Sequence, residues 1–187
     1  MANTRDDLLA CAEDLIRTHG YSGYSYADAA ERVGVRKATI HYYFPTKQDL
    51  TLAALQAYRD RYKMAMTSIE NDFDNALDRI DAYAKLYLLG VEKGLGCLCS
   101  ALSAELENLP DDLKRGTASF FREHLDWIER VIAKGREKGE ISADFTNVGA
   151  ARLVISSLEG ALMMERLLDG TAGFEITLKA LRTSLTA

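Results

Sequence analysis

Between Ser25 and Lys47 the chain reads SYADAAERVGVRKATIHYYFPTK, and a stretch with this spacing can fold in few ways. Ser25 is a helix N-cap by type, since its hydroxyl can accept from a first-turn N–H that has no other partner. Ala29, Ala30 and Val33 give a short apolar stripe, and the alanines are small enough for two helices to cross closely. Gly34 follows as the turn residue, because glycine takes a left-handed conformation at little cost. A second helix is predicted from near Arg36 to Phe44. Pro45 ends it by biasing the residue before it away from helix. Two short helices joined this way make a helix-turn-helix, in which the second helix suits the DNA major groove.

Helical steps of about 100° assign the faces of that second helix. Ile40 and Phe44 are four apart and apolar, so they point to the core. Ala38 and Tyr42 lie roughly 160° from Ile40 on the same step. Thr39 and His41 flank them, and Lys37 and Tyr43 sit nearer the edges. Alanine and a threonine methyl can meet a thymine methyl, while Thr, His and Tyr can hydrogen-bond to base edges or phosphates. Thr46 and Asp49 read as a capping box with Asp in place of Glu, opening a further helix with its N-terminal amides and Lys47 outward, an arrangement that suits one phosphate.

Charge agrees with this reading once its distribution is considered. The chain carries a formal net charge of −5, which alone argues against nucleic acid. Yet Arg32, Arg36, Lys37 and Lys47 fall in a stretch, Arg32 to Gln48, that contains no acid. A local basic stripe on an acidic protein is an electrostatic footprint that a net count hides.

The whole chain is expected to be all-α. It has only two prolines and no competing strand pattern. A first helix is predicted from Thr4 to His19, with Leu8, Leu9, Ala12, Leu15 and Ile16 at helical spacing and Gly20 as its cap. The helix opened by Thr46 has Leu50, Ala54, Ala57 and Tyr58 inward and no breaker until Asn71 and Asp72. Further helices are predicted near 74–92, 97–108, 112–138 and 146–169, with a short one near 174–185. Their ends are marked by Gly94, Gly96, Pro110, Gly139, Thr146 and Gly170. Residues 1–46 thus read as a three-helix helix-turn-helix DNA-binding domain, and 47–187 as a helical ligand-binding and dimerisation domain. No apolar run reaches the roughly 18 residues of a spanning helix, and no secretory signal is evident, so a cytoplasmic protein without membrane partners is expected.

The helix near 146–169 is apolar around most of its circumference, which implies burial on two sides. That near 112–138 also carries more than one apolar stripe. A two-fold homodimer through these two helices is predicted, and it would let two recognition helices read a palindrome. The cysteines Cys11, Cys97 and Cys99 make no disulfide framework. Cys97 and Cys99, two apart on a helix, point about 200° from each other. Small buried hydrophobes are their default role, with a thiol sensor at Cys97 or Cys99 as the alternative. The histidines are scattered and no ligand spacing occurs, so no metal and no cofactor are expected. A helical enzyme is the distant alternative. It lacks a constellation: Glu105 and Glu107, two apart, face different ways, and no nucleophile elbow or phosphate loop appears.

Ser25, Ala29, Ala30, Val33-Gly34-Val35, Ala38-Thr39-Ile40, Tyr43-Phe44 and Thr46-Lys47 together resemble the signature of the TetR family of bacterial regulators, over roughly residues 5–55. The resemblance implies that Lys37, Ala38, Thr39, His41 and Tyr42 approach bases or adjacent phosphates, and that Ser25, Tyr26, Tyr43 and Lys47 hold the DNA backbone. Arg36 stands where the family usually has Ser, adding a charge suited to phosphate. His41 replaces the usual Tyr, so base preference does not carry over. Ala29 replaces the usual Ile, a packing change. The resemblance further implies a small-molecule effector site in the second domain. Tyr83, Tyr87, Leu98, Leu102, Phe120, Phe121, His124, Trp127, Leu158 and Met163 are candidate walls, apolar with a few polar groups, for a modest, largely apolar ligand. Such a ligand would favour a dimer whose recognition helices are mis-spaced for a palindromic operator on double-stranded DNA, releasing a repressor.

Overall fold

A computed structural model describes residues 4–186, and every regular element among them is helical. The elements are α1 (Thr4–His19), α2 (Tyr26–Val33), α3 (Lys37–Tyr43), α4 (Lys47–Asp72), α5 (Ala76–Glu92), α6 (Leu98–Ser103), a 3₁₀ turn (Leu106–Asn108), α7 (Asp111–Glu137), α8 (Asn147–Glu165) and α9 (Thr171–Thr186). They divide into two compact units. One comprises Met1–Tyr62 with Leu98–Phe120, and the other Lys63–Cys97 with Phe121–Ala187.

In the first unit, Leu8, Ala12, Leu15 and Ile16 bury the inner stripe of α1 as their spacing requires, and Cys11 joins them. Gly20 ends the helix at φ +76 and donates its N–H to the Ile16 carbonyl. Ser25 caps α2 in a full capping box, its hydroxyl accepting from first-turn amides while the Asp28 side chain accepts from the Ser25 N–H at 2.7 Å. Gly34, at φ +76, closes α2 in the left-handed conformation expected of it. The box at the start of α4 also forms: Asp49 accepts from the Thr46 N–H at 2.9 Å, and Thr46 Oγ1 accepts from the Asp49 N–H at 3.1 Å.

A buried charge binds α1 to α4 within this unit. Glu13 is 8% exposed and accepts from Arg17 at 3.1 Å and Arg61 at 2.5 Å. Both guanidinium groups lie over the Tyr58 ring, at 6.0 and 5.4 Å. The two cations offset the desolvation of the carboxylate, and the aromatic face in turn holds the cations.

The segment expected as one helix over 97–108 is broken. α6 stops at Ser103, the Glu105 N–H bonds back to the Leu102 carbonyl, and the Asn108 N–H bonds to that of Glu105. Its buried residues are Leu98, Cys99 and Leu102.

In the second unit, Asn75 caps α5 by accepting from the Leu77 and Asp78 amides, and Glu140 accepts from the Ala76 N–H at 2.7 Å. Arg79 donates to the Phe73 and Glu70 carbonyls at the end of α4, where a cation meets the negative end of the helix dipole. Gly135 sits so close to Ala76 and Ile141 that a Cβ would overlap both. α9 departs from expectation: it is a full helix of 16 residues rather than a short one. α8 ends at Glu165, short of the expected 169, because the chain turns back there, with the Gly170 N–H on the Glu165 carbonyl and Gly170 at φ +63. Less apolar surface is left on α7 than expected, with only Phe121 and Leu125 of its large apolar side chains half-buried. Phe120, Trp127, Ile128, Val131 and Ile132 are all buried within the chain. A cluster of exposed apolar side chains lies instead on α8, the turn after it and α9: Met163 at 66%, Leu167 at 84%, Leu168 at 69% and Ile176 at 71% exposed. No helix among the described residues is long and apolar enough to cross a membrane.

Candidate nucleic-acid interface and buried polar centre

α3 presents the faces its spacing requires. Ile40 is fully buried and Phe44 nearly so, while Tyr42 is 82% exposed. Arg36, Lys37, Ala38, His41 and Tyr43 are exposed, and Thr39 is half-buried. The outward rings support one another. Tyr42 meets Tyr43 edge-on at 5.1 Å, and His41 meets Tyr26 edge-on at 4.8 Å. His41 Nδ1 lies 3.2 Å from the Pro45 carbonyl oxygen. A carbonyl only accepts, so Nδ1 carries the proton and Nε2 is the ring atom left for a partner.

Three residues expected on the DNA backbone are committed inside the unit. The Ser25 hydroxyl is occupied by its capping box, donating to Asp28 at 2.7 Å. The Tyr26 hydroxyl donates to the Phe44 carbonyl at 2.7 Å, tying α2 to the end of α3. Burial, helped by Asp49, pushes that hydroxyl up to about 12. Lys47 does not point outward as expected. Its ammonium donates to the Tyr24 carbonyl at 2.6 Å and lies 4.6 Å from the Tyr21 ring and 4.4 Å from the Tyr24 ring. Burial lowers its pKa, with Glu105 and Asp28 working against that. Sequence reasoning missed Tyr21, Tyr24 and Glu105 here. Three tyrosines around a glycine turn were the available signal.

The candidate effector residues divide. Leu98, Leu102 and Phe120 belong to the first unit and Tyr83, Tyr87, Phe121, His124, Trp127 and Leu158 to the second. Met163 cannot line an interior, being 66% exposed. In the second unit α5 and α7 bring Tyr83, Tyr87 and His124 together, all of them buried. Tyr83 Oη lies 2.6 Å from His124 Nδ1 and 3.1 Å from Tyr87 Oη. Burial holds the imidazole down at about 3, so it is neutral. Its Nδ1 can then accept from Tyr83, which leaves the Tyr83 oxygen to accept from Tyr87. Burial raises the Tyr87 hydroxyl well above its ordinary range. The Trp127 ring lies 5.4 Å from that of Tyr83, and its indole N–H has no hydrogen-bond partner among the described residues. Trp127 also lines a cleft of about 300 Å³ between α4 and α7 of this unit, with Lys63, Met66, Glu70, Glu123 and Arg130. Among the described residues no His, Cys, Asp and Glu group could hold a metal.

A capped helix-turn-helix with an anchored, outward-facing second helix, in a chain that continues as an all-helical body, defines a DNA-binding regulator. The family described as "Bacterial regulatory proteins, tetR family" matches residues 8–54, and that described as "Tetracyclin repressor-like, C-terminal domain" matches residues 76–181. The chain belongs to the TetR family of transcriptional regulators. The HTH-type transcriptional repressor NemR of Escherichia coli (strain K12) is 28% identical over 139 residues, spanning 72% of this chain and 70% of that one. The HTH-type transcriptional repressor DhaR of Mycobacterium sp. (strain GP1) is 25% identical over 166 residues, 87% and 83% of the two chains. A TetR-family transcriptional regulator from Agrobacterium tumefaciens has the same fold, with a TM-score of 0.93 at 28% identity over 98% of both chains.

Proposed function

We propose that this chain is a homodimeric repressor that binds a palindromic operator through α3 and is released by a small, largely apolar ligand. The observation that carries the reading is Tyr42. It is 82% exposed on a helix whose opposite side is anchored by the fully buried Ile40. A large aromatic side chain held out by a fixed helix, beside Ala38, Thr39 and His41, suits base edges and thymine methyls. Residues 1–46 act on DNA in this reading, and 47–187 serve the ligand and the dimer. Met163, Leu167, Leu168 and Ile176 supply a face for a second copy, shifting the interface from the predicted α7–α8 pair to α8 and α9. The relatives named as repressors support repression over activation. The Tyr87–Tyr83–His124 chain and the Trp127 N–H are the polar groups that a ligand would meet in the second unit.

The test is an operator selected from random duplexes with the purified full chain. Tyr42→Ala and Thr39→Ala should lose more affinity for that operator than for random DNA. Equal losses on both would remove α3 as the reading helix. A thiol-responsive regulator is the second reading. It draws on Cys97, a free buried thiol in the same unit as Tyr87 and His124. Oxidant-dependent release that disappears in Cys97→Ser would favour it over a ligand.

A further inference from the structure

The α1–α2 turn is held from outside the helix-turn-helix by one carboxylate. Glu105, between α6 and the 3₁₀ turn, accepts from the Ser22 N–H at 2.9 Å across 83 residues of sequence. The Tyr21 N–H and the Ser22 hydroxyl also reach it. The fit is close. A Cβ on Gly20 would overlap the carboxylate, and Gly20 already needs its left-handed φ of +76. Burial works against the charge, yet these donors and Lys47 outweigh it and hold the carboxyl below its ordinary range. The same Lys47 ammonium sits on the Tyr21 and Tyr24 rings. One corner therefore joins the end of α6, the α1–α2 turn and the first residue of α4.

The place of Glu105 in the chain gives this corner its interest. Residues 98–120 are a segment of the first unit entered from Cys97 and left at Phe121, both of which belong to the second. Both ends of this segment are therefore bonded directly to the second unit. α6 is only six residues long and ends at the corner that Glu105 itself forms.

We infer that Glu105 is a positioning residue that couples the second unit to the helix-turn-helix, by fixing the α1–α2 turn to the end of α6. The inference rests on operator binding as proposed above. Coupling is reciprocal, so operator binding must also alter the second unit. The chain contains a single tryptophan, Trp127, and it is buried against Tyr83 in that unit. Its emission is a native reporter of a signal that arrives from the DNA side.

The experiment titrates the selected operator into the full-length protein and records Trp127 emission beside operator affinity measured by labelled-DNA anisotropy. The wild type should change emission on saturation with operator and not with random duplex. Glu105→Ala should still bind operator, with affinity reduced by no more than about tenfold, and lose most of the emission change. Glu105→Asp keeps the charge but is one methylene too short for Ser22, so it should behave like Glu105→Ala and replaces it if that variant does not fold. Glu105→Gln keeps reach and an acceptor oxygen and should restore the change. A wild type that binds operator with unchanged emission overturns the inference, as does an emission change that survives in Glu105→Asp. Failure of the wild type to select any operator would instead sink the functional reading, and the coupling with it.

Discussion

Lys47 shows how a residue type can suggest one role and its neighbours assign another. A lysine at the first position of a helix beside a DNA-binding turn suits a phosphate. Here its ammonium is a structural donor to the Tyr24 carbonyl, placed against two tyrosine rings. Lys47→Met keeps the aliphatic stem and removes the donor and both ring contacts. It should therefore destabilise the protein by about 1–3 kcal/mol, seen as a lower urea midpoint with the slope unchanged. An unaltered midpoint would return Lys47 to the DNA surface. His124 makes a prediction of opposite character. Its folded pKa of about 3 lies below the ordinary 6.5, so the unfolded chain binds more protons between those values. Stability from the neutral imidazole is complete above about pH 6.5 and falls as pH drops toward 3, with a slope approaching 1.4 kcal/mol per pH unit. His124→Gln should flatten the denaturation-versus-pH curve by about one proton in that window. A wild-type curve already flat from pH 6.5 to 4 would mean that His124 is solvated.

At the level of elements, much was legible because helix ends announce themselves locally. Ser25, Gly34, Thr46 with Asp49, and the left-handed Gly20, Gly139 and Gly170 each act within a few residues of their place in sequence. The buried and exposed sides of α3 were legible for the same reason, since Ile40, Phe44 and Tyr42 need only a 3.6-residue period. What escaped depended on distant partners. Glu105 breaks the expected 97–108 helix while its side chain serves a turn 83 residues away. A short last helix is expected from near 174, which leaves Gly173 outside it. Gly173 is instead inside α9, where the Glu165 carboxylate leaves no room for a Cβ. The apolar stripes of α7 gave no sign of what covers them, since no period reveals that Phe120 meets Tyr58 and Tyr62 of α4, or that Trp127 meets Tyr83 of α5. The exposed face on α8 and α9 now predicts the result of a charge scan. Leu167→Glu combined with Ile176→Glu should leave the fold and helical content intact and shift sedimentation to monomer. Operator affinity should fall with it, because one protomer reads one half-site. A double variant that stays dimeric would place the interface elsewhere.

For the whole molecule, charge decides how DNA is found and held. Each chain has a formal net charge of −5, so attraction to DNA has to come from a local basic face and not from the net charge. That face is less basic than the sequence suggests. Arg32 pairs with Asp14 at 3.6 Å, and Lys47 is held by Tyr24. Arg36 and Lys37 are exposed, and no ion pair engages them among the described residues. Two such cations per protomer, in a dimer, neutralise about four phosphates. The logarithm of operator affinity should then fall against the logarithm of salt with a slope of about −3.6. Were Arg32 and Lys47 to turn to the DNA as well, about eight contacts would give a slope near −7. Anisotropy titrations between about 50 and 300 mM salt separate these cases easily, because the two slopes differ in affinity by more than a hundredfold over that range. The shallow slope means that positioning of α3, through the Tyr26–Phe44 tie and the corner at Glu105, carries more of the recognition than charge does. The steep slope means that binding itself pulls Lys47 out from between its tyrosines, and the α1–α2 turn would then be remade on DNA rather than held in place before it arrives.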